Sequence, residues 1–203
     1  MINTIQYGSR KLRGPWFMNI PVQIDVKDFI FHNDETLKNI IEAQVKGESL
    51  RNDDIVTQVQ QYVVKKLIYG PDTFWGAPEF WLFPPETLVS KHCDCEDGAI
   101  LICSLLRNAG ISSEKVWVSC GLVESGKTKG GHGYCCYQRD LDSEIVIIDW
   151  CFLEDSKVPV QVKKPFSERK EYKDPWFSFN DENCWIEPGF ELTLGKRVRR
   201  IKC

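Results

Sequence analysis

The stretch Lys91-His92-Cys93-Asp94-Cys95-Glu96-Asp97-Gly98-Ala99-Ile100-Leu101-Ile102-Cys103-Ser104-Leu105-Leu106 decides how the chain folds. A polar turn opens here directly into an apolar helical run. Asp94 is a preferred N-cap residue, and Asp97, three positions on, can return a bond to the cap amide as Glu or Gln does in a capping box. Ala99 to Leu106 reads as a buried helix, with Gly110 placed to end it at C′. Cys95 is then the first helical residue. Its thiol faces unpaired backbone N–H groups and the positive end of the helix dipole, which favour thiolate. Asp94, Glu96 and Asp97 oppose ionisation by like charge, so a basic partner, a histidine above all, has to supply positive charge. Cys103 sits inside the apolar run and reads as packing.

Upstream, Lys11, Arg13, Gly14 and Pro15 suggest an irregular arm over residues 1–32, with Val22, Ile24 and Val26 alternating briefly like a strand. Asn33-Asp34-Glu35-Thr36 starts a helix carrying Leu37, Ile40, Ile41 and Val45, stopped near Gly47. A second helix opens at Asn52-Asp53-Asp54 and carries Ile55, Val56, Val59, Tyr62, Val63 and Leu67 on one face, with Lys65 and Lys66 at its C-terminal end. From Gly70 to Pro85, prolines and glycines break regular structure. Phe74, Trp75, Phe80, Trp81 and Phe83 in that segment either pin a loop on the core or wall a cleft beside Cys95. Trp81, with its indole donor, and Asp94 are the oxyanion and cleft candidates. Trp75, Phe83 and Trp150 are the substrate-cleft candidates.

After Gly110 the period becomes strand-like, in runs over Lys115–Val123, His132–Gln138 and Glu144–Trp150. Glu124 to Gly131 reads as a polar, glycine-rich loop. Its Gly126-Lys127-Thr128 lacks the helix and glycine spacing of a phosphate loop. Arg139-Asp140-Leu141-Asp142-Ser143 turns the second run into the third. Helices first and strands after predict an α+β chain with an antiparallel sheet against the Cys95 helix. His132 begins the second strand and Asp149 ends the third, so a hairpin sets them side by side. A thiol at a helix N-terminus across that edge would complete a nucleophile, base and orienter.

These residues resemble the transglutaminase-like superfamily, and most closely its microbial and phage cysteine-proteinase branch. The similarity rests on W-L-F-P-P-E-T at 81–87, C-D-C-E-D-G-A-I-L-I-C-S-L-L-R-N-A-G-I at 93–111, G-G-H-G-Y at 130–134 and I-I-D-W at 147–150. The resemblance implies a papain-like α+β fold with Cys95 as nucleophile, His132 as base and Asp149 as third member. Cys93 stands where the family motif usually has Gly, and Gly133-Tyr134 replace a small residue and Trp. Cys93 precedes the cap and misses the helix-terminus field, which leaves it a redox trap at most.

One domain over residues 1–203 is expected, with a catalytic core at about 52–152 and a C-terminal aromatic extension, 153–203, that ends in the basic run 196–202. A net charge of −3 gives no reason to expect nucleic acid or an anionic membrane as partner. The N-terminus lacks a signal-peptide layout, and nine cysteines, odd in number and clustered, suit reduced thiols; a cytoplasmic protein is expected. A zinc site from His92, Cys93, Cys95, Cys135 and Cys136 is the competing reading, against which their spacing counts. An idle binding module on the same fold is another, and acyl transfer to an amine a third. The expectation is a thiol hydrolase acting on a protein or peptide amide or isopeptide bond, without cofactor or metal.

Overall fold

The computed structural model describes residues 4–11, 19–48, 50–70, 80–126, 128–152 and 156–186. Strands β1 (Thr4–Lys11) and β2 (Asn19–Asp25) pair antiparallel, so much of the arm expected to be irregular is a hairpin. Helix α1 (Glu35–Gln44) starts on Asp34, whose carboxylate accepts the Leu37 N–H at 2.9 Å. Helix α2 (Asn52–Lys66) buries Val56, Val59 and Val63, as its periodicity predicts.

Strand β3 (Ile68–Tyr69) runs parallel to the short β4 (His92–Cys93). Between them lies α3 (Pro84–Ser90), a helix that the breaker-rich reading of residues 70–85 did not anticipate. Pro84 and Pro85 fill its first turn, where a missing N–H costs nothing. The Glu86 carboxylate accepts the Phe83 N–H at 2.9 Å, and Lys91 in the left-handed region (φ +61°) ends the helix.

Helix α4 (Cys95–Asn108) follows at once and is buried on every side from Glu96 to Arg107. A helix apolar all round has to be central. Here α1, α2 and α3 pack on it, as do β5 (Val116–Ser125) and β6 (Thr128–Gln138) of the sheet. That sheet also contains β7 (Ile145–Ile148), β8 (Tyr172–Phe179) and β9 (Cys184–Ile186), all antiparallel, in the order β7-β6-β5-β8-β9. The core lies between, where Ile100, Leu101 and Leu105 meet Val118, Cys135, Val146, Ile148 and Phe179.

Two differences from the expected sheet bear on the site. The predicted loop 124–131 is mostly strand: pairing continues to Ser125 and Thr128, so His132 lies inside β6, opposite Gly121. Gly126, at φ +61°, makes the turn between the two strands, while Gly131 marks a close approach. A Cβ on Gly131 would stand 2.9 Å from the Trp176 ring. The C-terminal part, expected only as an aromatic extension, supplies β8 and β9 as strands of the sheet. The β6–β7 turn is anchored by Asp53 of α2, whose carboxylate accepts the Tyr137 hydroxyl and the Asp140 N–H, each at 2.8 Å.

Candidate active site

Cys95 is the first residue of α4, and the capping geometry is the one its neighbours predict. Asp97 Oδ2 accepts the Asp94 N–H at 3.4 Å, while its Oδ1 accepts the Leu82 N–H at 2.6 Å and ties the chain before α3 to the helix end. Trp150 fixes the first turn from the opposite direction. Its indole Nε1 donates to the Cys95 carbonyl at 3.0 Å, and the ring fills the space over Gly98, where a Cβ would fall 2.2 Å from that nitrogen. Trp150 is buried, so it braces the helix rather than lining an open cleft as expected.

Strand β6 meets this helix end at Gly133. Its backbone N–H donates to the Cys95 Sγ at 3.3 Å. The preceding residue, His132, turns its Nε2 to Asp149 Oδ2 at 2.6 Å. With Nε2 carrying the proton toward the carboxylate, Nδ1 is the nitrogen left to accept one. Asp149 follows β7 and is buried. Its Oδ1 accepts the N–H groups of Cys151 and Phe152, both at 3.0 Å, and its Oδ2 also accepts the Tyr172 hydroxyl at 2.8 Å. Burial alone would raise this carboxyl. The hydrogen bond and charge of His132, with the Phe152 N–H and the Tyr172 hydroxyl, outweigh it and hold the group at about 2.

The thiol differs from the expectation of a ready thiolate. Burial, then the Glu96 and Asp94 carboxylates, push Cys95 well above the usual thiol range, and the Gly133 N–H pulls the other way. The proton has a place to go: Sγ donates to Glu96 Oε2 at 3.2 Å. The helix-end field is thus outweighed by desolvation and two carboxylates within the first turn. Burial also raises Asp94, against a hydrogen bond with Glu96 and the charge of His132. Cys93 is buried in β4, and burial with Asp97, Asp94 and Glu96 raises its thiol too.

The other cleft candidates fall elsewhere. Trp81 is buried in a ring stack with Phe179 (5.6 Å) and Phe177 (6.3 Å), edge-on to Phe29 (5.5 Å), so its ring serves the core. Phe83 stacks on Phe29 at 4.7 Å. Trp75 and the basic run 196–202 lie outside the described residues. The zinc set does not assemble among the described residues, because Cys135 and Cys136 are buried in the sheet while His92 is exposed. Two other groups do converge, their ligand atoms within 4.8 Å of one another: Asp94 with Cys95 and Glu96, and His132 with Asp149 and Cys151. The first offers carboxylate oxygens of the kind a hard cation takes.

Several residues around the site were not foreseen. Gln60 of α2, buried, donates to the Asp149 carbonyl at 2.6 Å; an amide on the apolar face of α2, between Val56 and Val63, was the available signal. Tyr69, its ring tilted on Trp150 at 6.0 Å and its side chain only partly covered, has its phenol pushed up to about 12 by that partial desolvation, then by Cys95 and Cys151. Tyr172 had no local signal, because its strand was not recognised.

No protein-family model matches the chain, and neither does any curated protein sequence. Among solved structures the chain is similar to LapG of Legionella pneumophila, with a TM-score of 0.56 and 21% identity over 77% of this chain and 89% of that one. A second LapG structure, described as EGTA-treated, gives 0.56 and 21% over 76% and 85%. The likeness is one of architecture: a helix opened by Cys95 packs on an antiparallel sheet, in the papain-like/transglutaminase-like α+β fold.

Proposed function

We propose that the protein is a thiol hydrolase that cleaves an amide or isopeptide bond of a protein or peptide through an acyl-enzyme on Cys95. In this proposal His132 is general base and then acid, and Asp149 orients it. The observation that carries it is the junction of β6 with α4: Gly133 touches the Cys95 Sγ at 3.3 Å, while its neighbour His132 is held at 2.6 Å by Asp149. LapG is a transglutaminase-like cysteine protease, which supports water over an amine as acceptor.

Burial and the Glu96 and Asp94 carboxylates favour the protonated thiol, so in this proposal ionisation accompanies attack. Sγ–H leaves Glu96 for His132 Nδ1 as Sγ bonds to the scissile carbonyl carbon, and the imidazolium is stabilised by Asp149. Collapse of the tetrahedral adduct breaks the C–N bond, and His132 returns the proton to the leaving amine, which leaves a thioester on Cys95. Water then attacks that thioester while His132 takes its proton. The acid product departs and the thiol is restored.

The test is digestion of a peptide library by the parent, Cys95→Ala and His132→Ala, with products read by mass spectrometry. Each reaction is run with Ca2+ and with a chelator, since a cation on Asp94 and Glu96 would cancel charge that opposes thiolate. Added hydroxylamine, which intercepts a thioester as a hydroxamate, reports the acyl-enzyme by product mass. Cleavage by the parent and by neither variant is expected. Equal cleavage by Cys95→Ala, or none by the parent in either condition, overturns the proposal.

A further inference from the structure

Two tyrosines flank His132, and they differ in one respect. Tyr134 of β6 stacks against the imidazole with ring centroids 6.0 Å apart, and its buried hydroxyl has no hydrogen-bond partner among the described residues. Tyr172 opens β8, opposite Val123 of β5, and lies 6.3 Å from the imidazole. Its hydroxyl reaches across to Asp149 Oδ2 at 2.8 Å, the same oxygen that holds His132. The Tyr172 ring is fixed by contacts on several sides: Tyr134 edge-on at 4.8 Å, Phe152 at 6.0 Å, and the Arg169 guanidinium 5.0 Å from its centroid. A phenol so placed has little freedom to take its O–H elsewhere.

We propose that Tyr172 is a positioning residue of this site, whose hydroxyl shares Asp149 Oδ2 with His132 and so sets both the orientation of the carboxylate and the charge it presents to the imidazole. This rests on the hydrolase reading for its consequence but not for its measurement. The backbone N–H groups of Cys151 and Phe152 hold Oδ1 only. Without Tyr172 the second oxygen would keep His132 as its one strong donor. The carboxylate could then swing about its Cβ–Cγ bond, and the whole charge of Oδ2 would bear on the imidazole. A carboxylate bonded to fewer neutral donors stabilises an adjacent cation more. The other titratable or charged groups facing this pair are Asp94 at the cap of α4, Cys95 and Glu96 in its first turn, Cys151 after β7, Tyr134 and Cys136 of β6 and Arg169 before β8. None of them changes in Tyr172→Phe.

The experiment is an NMR titration of the His132 ring in the parent, Tyr172→Phe and Tyr134→Phe. The chain has only three histidines, so His32→Gln and His92→Gln assign the signal. Tyr172→Phe should raise the His132 midpoint by about one pH unit, the lower end of what one hydrogen bond to a charged group supplies. Tyr134→Phe, which removes a buried hydroxyl bonded to nothing described, should superimpose on the parent. Site-specific 3-fluorotyrosine at 172, a stronger donor of the same shape, should move the midpoint down, a change of sign that a purely packing role does not produce. It also keeps the test decisive if Tyr172→Phe does not fold. Coincident titrations for the parent and the position-172 variants, or an equal shift in Tyr134→Phe, overturn the proposal. Repeating the titration in Cys95→Ala separates the two claims: a normal Tyr172 effect with no peptide cleavage by the parent sinks the hydrolase and leaves Tyr172 as assigned.

Discussion

Gly133 lies so close to Glu96 that a Cβ on the glycine would stand 2.7 Å from both the Cα and the Cβ of Glu96. Strand β6 can therefore bring its backbone N–H to the Cys95 thiol only because position 133 has no side chain. Gly133→Ala should push helix and strand apart by a few tenths of an ångström or more. The expected result is a loss of about 1–3 kcal/mol in urea unfolding, the range for overpacking, and a fall of about 100-fold in peptide cleavage, since small misplacements at a reacting centre have that effect. Cleavage within a factor of three of the parent would show that the contact does not position the thiol.

Glu96 is the nearest charge opposing ionisation of Cys95, after burial itself. Glu96→Gln removes that charge and replaces the acceptor of the Sγ–H by a group that can also donate. The pH midpoint for alkylation of Cys95 by iodoacetamide should move to lower pH, with faster labelling at pH 7. In the parent the midpoint should lie above the ordinary thiol value of about 8.5. An unmoved or higher midpoint in Glu96→Gln would mean that desolvation alone sets the thiol.

The two thiols that flank Asp94 should behave differently. Cys93→Ala deletes a buried sulfur in β4 and should cost about 1 kcal/mol or a little more, with peptide cleavage close to the parent's. Cys95→Ala should fold as stably as the parent and cleave nothing. Mass mapping after brief alkylation should find the label on Cys95 and none on Cys93, which is 1% exposed.

Asp149 carries a stability term whose sign follows from its lowered carboxyl. The group sits at about 2 in the fold against 3.8 unperturbed. The unfolded chain therefore binds a proton at a higher pH than the native one. The contribution is complete above about pH 4 and disappears as pH falls through about 2, and it amounts to about 2 kcal/mol. Urea unfolding of the parent and Asp149→Asn from pH 5 to pH 2 checks this. The difference between them should shrink by that amount across the window, and a constant difference would count against it.

Trp150→Phe keeps a ring over Gly98 but removes the donor to the Cys95 carbonyl. A loss of about 1 kcal/mol in unfolding free energy is expected for one hydrogen bond. Gly98→Ala should be worse, because the added methyl overlaps the indole nitrogen. If Gly98→Ala is the milder variant, the indole is not seated as described.

Local chemistry made much of this legible in advance. Asp94 and Asp97 announce the start of α4, Gly110 its end, and the apolar run between them its burial; all of these are effects of neighbours within one helix. The valines of α2 and the three strand runs from 116 to 148 are periodic signals of the same kind. His132, Asp149 and Cys95 could be nominated because a hairpin and a helix start imply where their ends meet. Pro84 and Pro85 misled, since a breaker inside a helix is a good beginning for one.

What remained hidden depends on contacts between distant residues. Gly131 reads as a loop glycine and Gly133 as one more position of a strand run, until Trp176 and Glu96 are seen against them. Trp150 looks like a cleft residue until its indole is found on the Cys95 carbonyl. Tyr172 and Gln60 reach Asp149 from β8 and α2, across 23 and 89 residues of chain, and nothing in their local pattern points there. The state of the thiol depends on the same kind of fact: the helix dipole acts within one turn and is readable locally, but desolvation is decided by everything packed around the site. Sequence alone determined α1, α2, α4 and the three strand runs between 115 and 150 and nominated the reactive residues, because propensity, capping and periodicity act over a few positions. Only the tertiary structure decided which groups hold Asp149, how near β6 comes to α4, and how strongly burial raises the Cys95 thiol, because each depends on close packing between parts of the chain far apart in sequence.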